Sequence, residues 1–265
     1  MDEKNPLNGS IGIRMKANPK EKLIERVAVL VPEKGSFPYF FKAAVQIAQM
    51  LQVPLRLLES SKFLFERPQK GNFYHEFLEE QALQNHIHWD TEVFEDPLPN
   101  ALKHVPSQNL LVILKETDSF PFPVVLREAS CPIMVIPKDF KEDLKHLLLA
   151  YVGGRFSDRA LALTALMGKN GRLKVDVLTV GATPSPALRV AHSRAQYFFG
   201  LWKVNADYKI LKGQVKPTLL EACGVNAASL LILGASETTD WKDHRFHNLS
   251  SSLAEEAKCP VMIVK

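Results

Sequence analysis

Short apolar runs alternate with longer amphipathic segments along most of the chain. Pro38–Gln52 is a segment of the amphipathic type, with Phe40, Ala44, Ile47 and Leu51 at helical spacing on one face. The apolar runs are rich in Val, Ile and Leu and have the length of strands. Near-continuous apolar strands that alternate with helices predict a parallel sheet covered by helices on both faces.

The apolar runs of the first half recur in the second half. Three pairs correspond: Arg26–Val31 with His146–Tyr151, Asn109–Ile113 with Ser229–Leu233, and Cys131–Ile136 with Cys259–Val264. The two members of each of the first two pairs are 120 positions apart, and those of the third pair are 128 apart. The second copy therefore has eight additional residues before its closing strand. The sequence therefore predicts two tandem domains, each a doubly wound, five-stranded and mainly parallel α/β sheet.

Composition shifts along the chain give the domain boundaries. A polar leader is predicted at residues 1–23, and a charged linker between two strands is predicted at 139–145. The first domain then spans 24–138 and the second spans 146–265.

The overall composition narrows the class of protein. Hydrophobic residues make up 46% of the 265 residues and charged residues 23%, which is typical of a globular protein. The net charge of +4 is too small to argue for nucleic acid, so no nucleic-acid partner is expected. No apolar run approaches the roughly 20 residues of a membrane span, and the leader lacks the apolar core of a signal peptide. A cytoplasmic protein is expected, and three cysteines without C-x-x-C spacing agree with that.

Three stretches of the second copy carry an ordered set of motifs. His146–Leu161 contains an opening strand, a turn and a Ser-x-x-Ala-Leu helix start. Ser229–Gly234 is a strand that ends in glycine, and Lys258–Val264 contains Cys-Pro-Val followed by apolar residues. In this order the motifs resemble the universal stress protein family, and the similarity covers about 26–137 and 146–265. The resemblance implies the adenine nucleotide alpha hydrolase-like fold of that family, in a tandem form.

The resemblance also implies where a nucleotide would bind. Members of the family that bind ATP or a related adenine nucleotide carry an Asp after the first strand, near the adenine. A Gly-x2-Gly-x9-Gly-Ser/Thr loop after the fourth strand holds the phosphates. Glycines let backbone N–H groups approach phosphate oxygens, and the N-terminus of a following helix favours negative charge.

The chain keeps little of that nucleotide motif. Val152 stands at the position of the Asp in the second copy, and Pro32 does so in the first. Gly234 matches the first glycine of the loop, whereas Glu237 takes the place of the second. The candidate residues for binding ATP or AMP in the second domain are Val152, Gly153, Gly154, Gly234, His247, Asn248, Ser250, Ser251 and Ser252. We expect a nucleotide site that is largely degenerate.

A second constellation of polar residues lies in the first domain. His86, His88 and Asp90 alternate along a segment that is predicted to be a strand, so they would project from one face. Imidazole and carboxylate groups at that spacing are ligands that a transition metal accepts. A solvated edge strand explains the same spacing, and both interpretations stay open.

Motifs of nucleophilic or metal-dependent catalysis are absent from the sequence. The chain contains no Gly-x-Ser-x-Gly elbow, no Walker loop and no His-Glu-x-x-His. Ser157 is predicted to be the N-cap of a helix that begins at Asp158. Cys131 and Cys259, which directly precede apolar strands, are predicted to be buried thiols. No enzymatic activity is expected.

The leading hypothesis is a non-enzymatic regulatory or stress-response protein of the universal stress type. The family pairs its domains through the closing strand, so the resemblance implies an internal pseudo-dimer through Cys131–Ile136 and Cys259–Val264. A homodimer stays open as well. Two other functions remain: an adenine-nucleotide sensor that binds ATP, AMP or a cyclic nucleotide in the second domain, and the cytosolic regulatory domain of a cation/proton antiporter, with a membrane transporter as partner.

Overall fold

The computed structural model describes residues 23–32, 38–61, 73–95, 97–115, 122–183, 185–225, 229–235 and 249–265. The predicted leader up to residue 22 lies outside the described residues, and so do Glu237, His247 and Asn248. No helix within the described ranges is long and apolar enough to cross a membrane.

The described part of the first half contains five strands and four helices. The strands are β1 (Arg26–Leu30), β2 (Leu55–Ser60), β3 (Trp89–Phe94), β4 (Asn109–Leu114) and β5 (Ile133–Ile136). The helices are α1 (Pro38–Leu51), α2 (Phe73–Asn85), α3 (Leu98–His104) and α4 (Phe122–Glu128).

The second half repeats this order of elements in the residues that are described. Its strands are β6 (His146–Ala150), β7 (Lys174–Gly181), β8 (Asp207–Lys212), β9 (Leu230–Gly234) and β10 (Val261–Val264). Its helices are α5 (Arg155–Gly171), α6 (Pro186–Trp202), α7 (Val215–Val225) and α8 (Leu249–Glu256).

All ten described strands form one sheet in the order β3-β2-β1-β4-β5-β10-β9-β6-β7-β8. Neighbouring strands within each half run parallel, as the sequence predicts. At the centre β5 and β10 pair antiparallel, with Met262 opposite Met134 and Ile263 opposite Ile133. The two predicted five-stranded sheets are therefore joined at their closing strands, which is the pairing that the resemblance implied.

The core lies on both faces of the sheet because the inner strands are apolar at consecutive positions. In β1, Val27 and Val29 pack on the face that α1 covers, whereas Ala28 and Leu30 pack on the opposite face. All four side chains are buried, which is the burial expected of strands covered by helices on both faces.

The two halves are also tied by polar contacts beside the β5–β10 seam. The ammonium group of Lys265 donates to the carbonyl oxygen of Ala129 at 2.6 Å, and that of Lys115 donates to the carbonyl oxygen of Glu255. Arg159 donates to the carbonyl oxygens of Leu23 at 3.2 Å and Ser107 at 3.1 Å, both in the first half. Burial lowers the pKa of Lys265 to about 8. The seam therefore holds cations that are largely removed from water, each bonded to backbone oxygens.

The helix start predicted at Asp158 is wrong by three residues. Helix α5 begins at Arg155, and its N-cap is Gly154, with φ 92° and no side-chain cap bond. Ser157 instead lies buried in the first helical turn. The preference of Ser for an N-cap is outweighed because Gly154 can adopt a left-handed backbone, which turns the chain into the helix one residue after Gly153.

Candidate functional site

The candidate site lies where the carboxyl ends of β6 and β9 meet the N-terminus of α5. Ligands of open parallel α/β sheets commonly bind at this edge. Gly153 and Gly154 both have left-handed backbones, with φ 86° and 92°, and they form the turn from β6 into α5. The amide of Asp158 already donates to the carbonyl oxygen of Gly154 at 2.8 Å, which closes the first helical turn. The turn therefore presents the positive end of the α5 dipole at this edge.

Gly234, the last residue of β9, lies directly against the first turn of α5. An ideal Cβ on Gly234 would lie 2.4 Å from the amide nitrogen of Ser157 and 2.6 Å from the carbonyl carbon of Phe156. Both atoms belong to the backbone, which cannot move aside as the end of a flexible side chain would. The close approach of strand to helix therefore requires glycine, independently of any nucleotide.

Val152 stands on the surface at the position where adenine-binding members of the family carry Asp. Its side chain is 56% exposed. An isopropyl group accepts no hydrogen bond, so it does not replace a carboxylate as a partner for adenine or ribose. The structure thus brings Val152, Gly153, Gly154 and Gly234 around the α5 N-terminus, without the acidic residue.

The serines of the predicted site lie at the start of α8. Ser250, Ser251 and Ser252 directly follow Leu249, the first residue of α8. Ser250 is only 2% exposed, and Ser251 and Ser252 are half-buried. The Ser250 hydroxyl is therefore closed to a phosphate in this conformation, and His247 and Asn248 lie outside the described residues.

A polar network that sequence reasoning missed lies behind the glycine turn. The hydroxyl of Tyr151 donates to Oδ1 of Asp158 at 2.6 Å, and Arg194 donates to Oδ2 at 2.6 Å. Burial and the hydrogen bond to the Asp158 carboxylate raise the pKa of Tyr151. The network links the end of β6 to α5 and α6. No local motif could have shown it, because the partners of Asp158 are seven and 36 positions away along the chain.

Replacing Tyr151 by phenylalanine is expected to destabilise the protein by about 2 kcal/mol, because one carboxylate oxygen of Asp158 loses its hydrogen bond in a partly buried site. Urea unfolding followed by circular dichroism measures the change. Tyr208→Phe is the matched control, since the Tyr208 hydroxyl has no hydrogen bond within the described ranges. Equal stability losses in the two variants would contradict a structural role for the network.

The three candidate metal ligands of the first half are not arranged on one strand. His86 lies just after α2 with φ 54°, His88 precedes β3, and Asp90 alone lies in β3. Arg56 donates to both carboxylate oxygens of Asp90 at 2.7 Å and, as the main cause, lowers its pKa. Among the described residues no group of three or more potential metal ligands is present. The single-strand arrangement on which the metal interpretation depended is therefore wrong.

The cysteines are buried, as predicted for Cys131 and Cys259. Burial raises the pKa of Cys131 to about 11, which keeps its thiol protonated at neutral pH. Cys223 lies against Cys259, and its hydrogen bond to that sulfur, together with burial, raises the pKa of Cys223. The two thiols line a surface depression with Phe140 and Leu220.

Known proteins resemble the chain in sequence over part of its length and in fold over most of it. The model of the universal stress protein family matches residues 195–265. Among curated proteins, none matches the chain.

Three solved structures share the fold at 14% identity each. A universal stress protein from Archaeoglobus fulgidus DSM 4304 has a TM-score of 0.65, over 90% of this chain and 96% of that one. A functionally unknown protein from Pseudomonas aeruginosa PAO1 has a TM-score of 0.65, over 91% and 92%. The cytoplasmic domain of a prokaryotic cation chloride cotransporter has a TM-score of 0.58, over 91% and 95%. The predicted α/β fold is thereby confirmed for nearly the whole chain.

Proposed function

Since residues 195–265 match the universal stress protein family and the whole chain has the fold of that family, we propose that the protein is a non-enzymatic regulator. Its site at the α5 N-terminus has lost adenine-nucleotide binding. The observation that carries the proposal is the contact of Gly234 with the α5 backbone, because it accounts for the retained glycine without a ligand.

The polar groups beside the site support a protein without catalytic activity. Both carboxylate oxygens of Asp158 are engaged, one by Tyr151 and one by Arg194. Tyr151 has a raised pKa, so its phenol is a poor proton acceptor or nucleophile near neutral pH. A general base paired with a nucleophile is the minimum for hydrolysis or transfer, and these groups do not supply one.

Thermal unfolding with ATP, AMP or cyclic AMP is expected to give the same midpoint as unfolding without nucleotide. A nucleotide present at 100 times its Kd would add about 2.7 kcal/mol of stability, which raises the midpoint by roughly 5 to 10 °C in a chain of this size. Such a rise in the unmodified protein would overturn the proposal in favour of a nucleotide sensor.

The variant Val152→Asp tests the role of the missing carboxylate in the same measurement. Val152 is exposed, so the carboxylate enters without a burial cost. A nucleotide-dependent rise only in Val152→Asp would identify the missing carboxylate as the cause of the lost binding. A loss of stability in Gly234→Glu would say nothing about ligands, because any side chain there collides with α5.

A second candidate function is the cytoplasmic regulatory part of a membrane transporter. It is favoured by the extent of the fold similarity to the cotransporter domain, which spans both halves of this chain. Immunoblotting of fractionated source cells separates the two candidates. A soluble band near 29.8 kDa supports the free-standing regulator, whereas a much larger band in the membrane fraction supports the transporter domain.

A further inference from the structure

Positive charge is concentrated in one part of the second half. Residues 159–220 contain ten Lys and Arg but only two acidic residues, Asp176 and Asp207, although the whole chain has a net charge of only +4. Asp176 is buried, so Asp207 is the one exposed carboxylate of this stretch. The stretch includes α6, the outer strand β8 and most of α5.

Four of these cations line a cavity of about 470 Å³ at the C-terminal ends of α5 and α6: Lys169, Arg172, Lys174 and Lys203. Arg172 and Lys203 are the C-caps of the two helices, both with left-handed backbones. Cations at helix C-termini complement the helix dipole. Lys174 is shared between Asp176 at 3.5 Å and Asp207 at 3.9 Å, so the cavity keeps an excess of positive charge.

The outer face of α6 adjoins this cavity and carries an apolar stripe among polar side chains. Val190, Tyr197 and Leu201 are 62%, 59% and 62% exposed, and their spacing of seven and four residues places them on one stripe. Helix α6 contains no acidic residue. Leu201 is two residues before Lys203, so the stripe ends at the cavity. We refer to these three apolar side chains with Lys169, Arg172 and Lys203 as the α6 surface.

We propose that the α6 surface binds an anionic phospholipid bilayer. The cations meet headgroup phosphates, while Tyr197 and Leu201 lie at the boundary between headgroups and acyl chains. An amphipathic helix with basic flanks and an aromatic residue has the chemistry for that position. Nucleic acid would bind to the positive charges but would make no use of the apolar stripe, which would stay exposed to water. An anionic bilayer is complementary to both parts at once.

The proposal is tested by co-sedimentation with vesicles. The protein is expected to bind vesicles of phosphatidylcholine mixed with phosphatidylglycerol, and to remain in solution with phosphatidylcholine alone. Each basic residue at a membrane surface contributes about 1 kcal/mol, or roughly a fivefold change in partitioning. Salt weakens the binding, since the screening length falls from about 10 Å at 0.1 M to about 3 Å at 1 M.

Variants locate the surface. Arg172→Glu, Lys203→Glu and Leu201→Glu are each expected to lower partitioning at least about fivefold while circular dichroism stays unchanged. The matched controls are Leu83→Glu, whose apolar side chain on α2 is 71% exposed, and Lys141→Glu in the linker, which is also exposed. Both controls are expected to bind like the unmodified protein.

Several results would overturn the proposal. One is equal partitioning to both kinds of vesicle, and another is an equal loss in the control variants. Displacement by inorganic pyrophosphate with no effect of Leu201→Glu would assign the cavity to a soluble phosphorylated ligand. A dimer in analytical ultracentrifugation that Leu201→Glu dissociates would assign the surface to a second copy of the chain. Binding of duplex DNA that Leu201→Glu leaves unchanged would assign it to nucleic acid.

Discussion

Gly234→Ala is expected to destabilise the protein by about 2 to 3 kcal/mol, with or without nucleotide. The new methyl group would lie within 3 Å of three backbone atoms in the first turn of α5. Relief requires β9 and α5 to separate, and both elements belong to the core of the second half. Urea unfolding followed by circular dichroism gives the free energy of unfolding, and the denaturant midpoint gives the direction of the change.

Gly200→Ala and Gly224→Ala are the matched controls. Each glycine lies in a helix, and an added Cβ there would have no heavy atom within 4 Å apart from its chain neighbours and the backbone of its own helix. Alanine is favoured over glycine in a helix by up to about 1 kcal/mol, so both controls are expected to gain stability. A Gly234→Ala variant that unfolds at the midpoint of the unmodified protein would contradict the close packing of β9 on α5.

This packing changes how the nucleotide motif is interpreted. The nucleotide motif of universal stress proteins places a phosphate-binding glycine at the end of the fourth strand, whereas Gly234 at that position of this chain is packed against a helix. The sequence alone does not separate the two roles, because both require a residue that has no side chain. Val152 is more informative, since its exposed side chain has no packing role that would prevent a carboxylate there.

The architecture could be predicted because it depends on periodicity. Strands such as Asn109–Leu114 and Leu230–Gly234 are apolar at consecutive positions, which is typical of strands buried on both faces. The repeated closing strands implied the seam at β5 and β10. Pairing these two edges within one chain also removes an exposed apolar edge, which is otherwise an aggregation hazard.

The polar contacts could not be predicted because they depend on strand register and on helix rotation. Asp90 looked like a metal ligand beside His88, but the parallel register places Arg56 directly opposite Asp90 on β2. Asp158 looked like an ordinary residue of the first helical turn, although α6 brings Arg194 to it. Such pairs join residues far apart in sequence, so only the folded chain shows which charges neutralise each other.

The seam between the halves gives the prediction with the largest expected effect. Met262→Asp is expected to destabilise the protein by at least about 4 kcal/mol, because it places a carboxyl group at a position that is 1% exposed. Met262 lies opposite Met134, so the substitution acts on both halves at once. With a typical total stability of about 5 to 15 kcal/mol, much of the cooperative unfolding transition should be lost. Urea unfolding monitored by circular dichroism measures the loss of stability.

A graded series of substitutions at Met262 tests how tightly β5 and β10 are packed against each other. Met262→Leu conserves volume and should cost less than about 1.5 kcal/mol, whereas Met262→Ala leaves a cavity and should cost about 3 kcal/mol. Val93→Asp makes the same polar change at a half-exposed position of the outer strand β3, where about 1 kcal/mol or less is expected. If Met262→Asp were as mild as Val93→Asp, the closing strands would not be packed together in solution. The antiparallel pair is the only strand contact between the halves in the described sheet, so this comparison tests that contact directly.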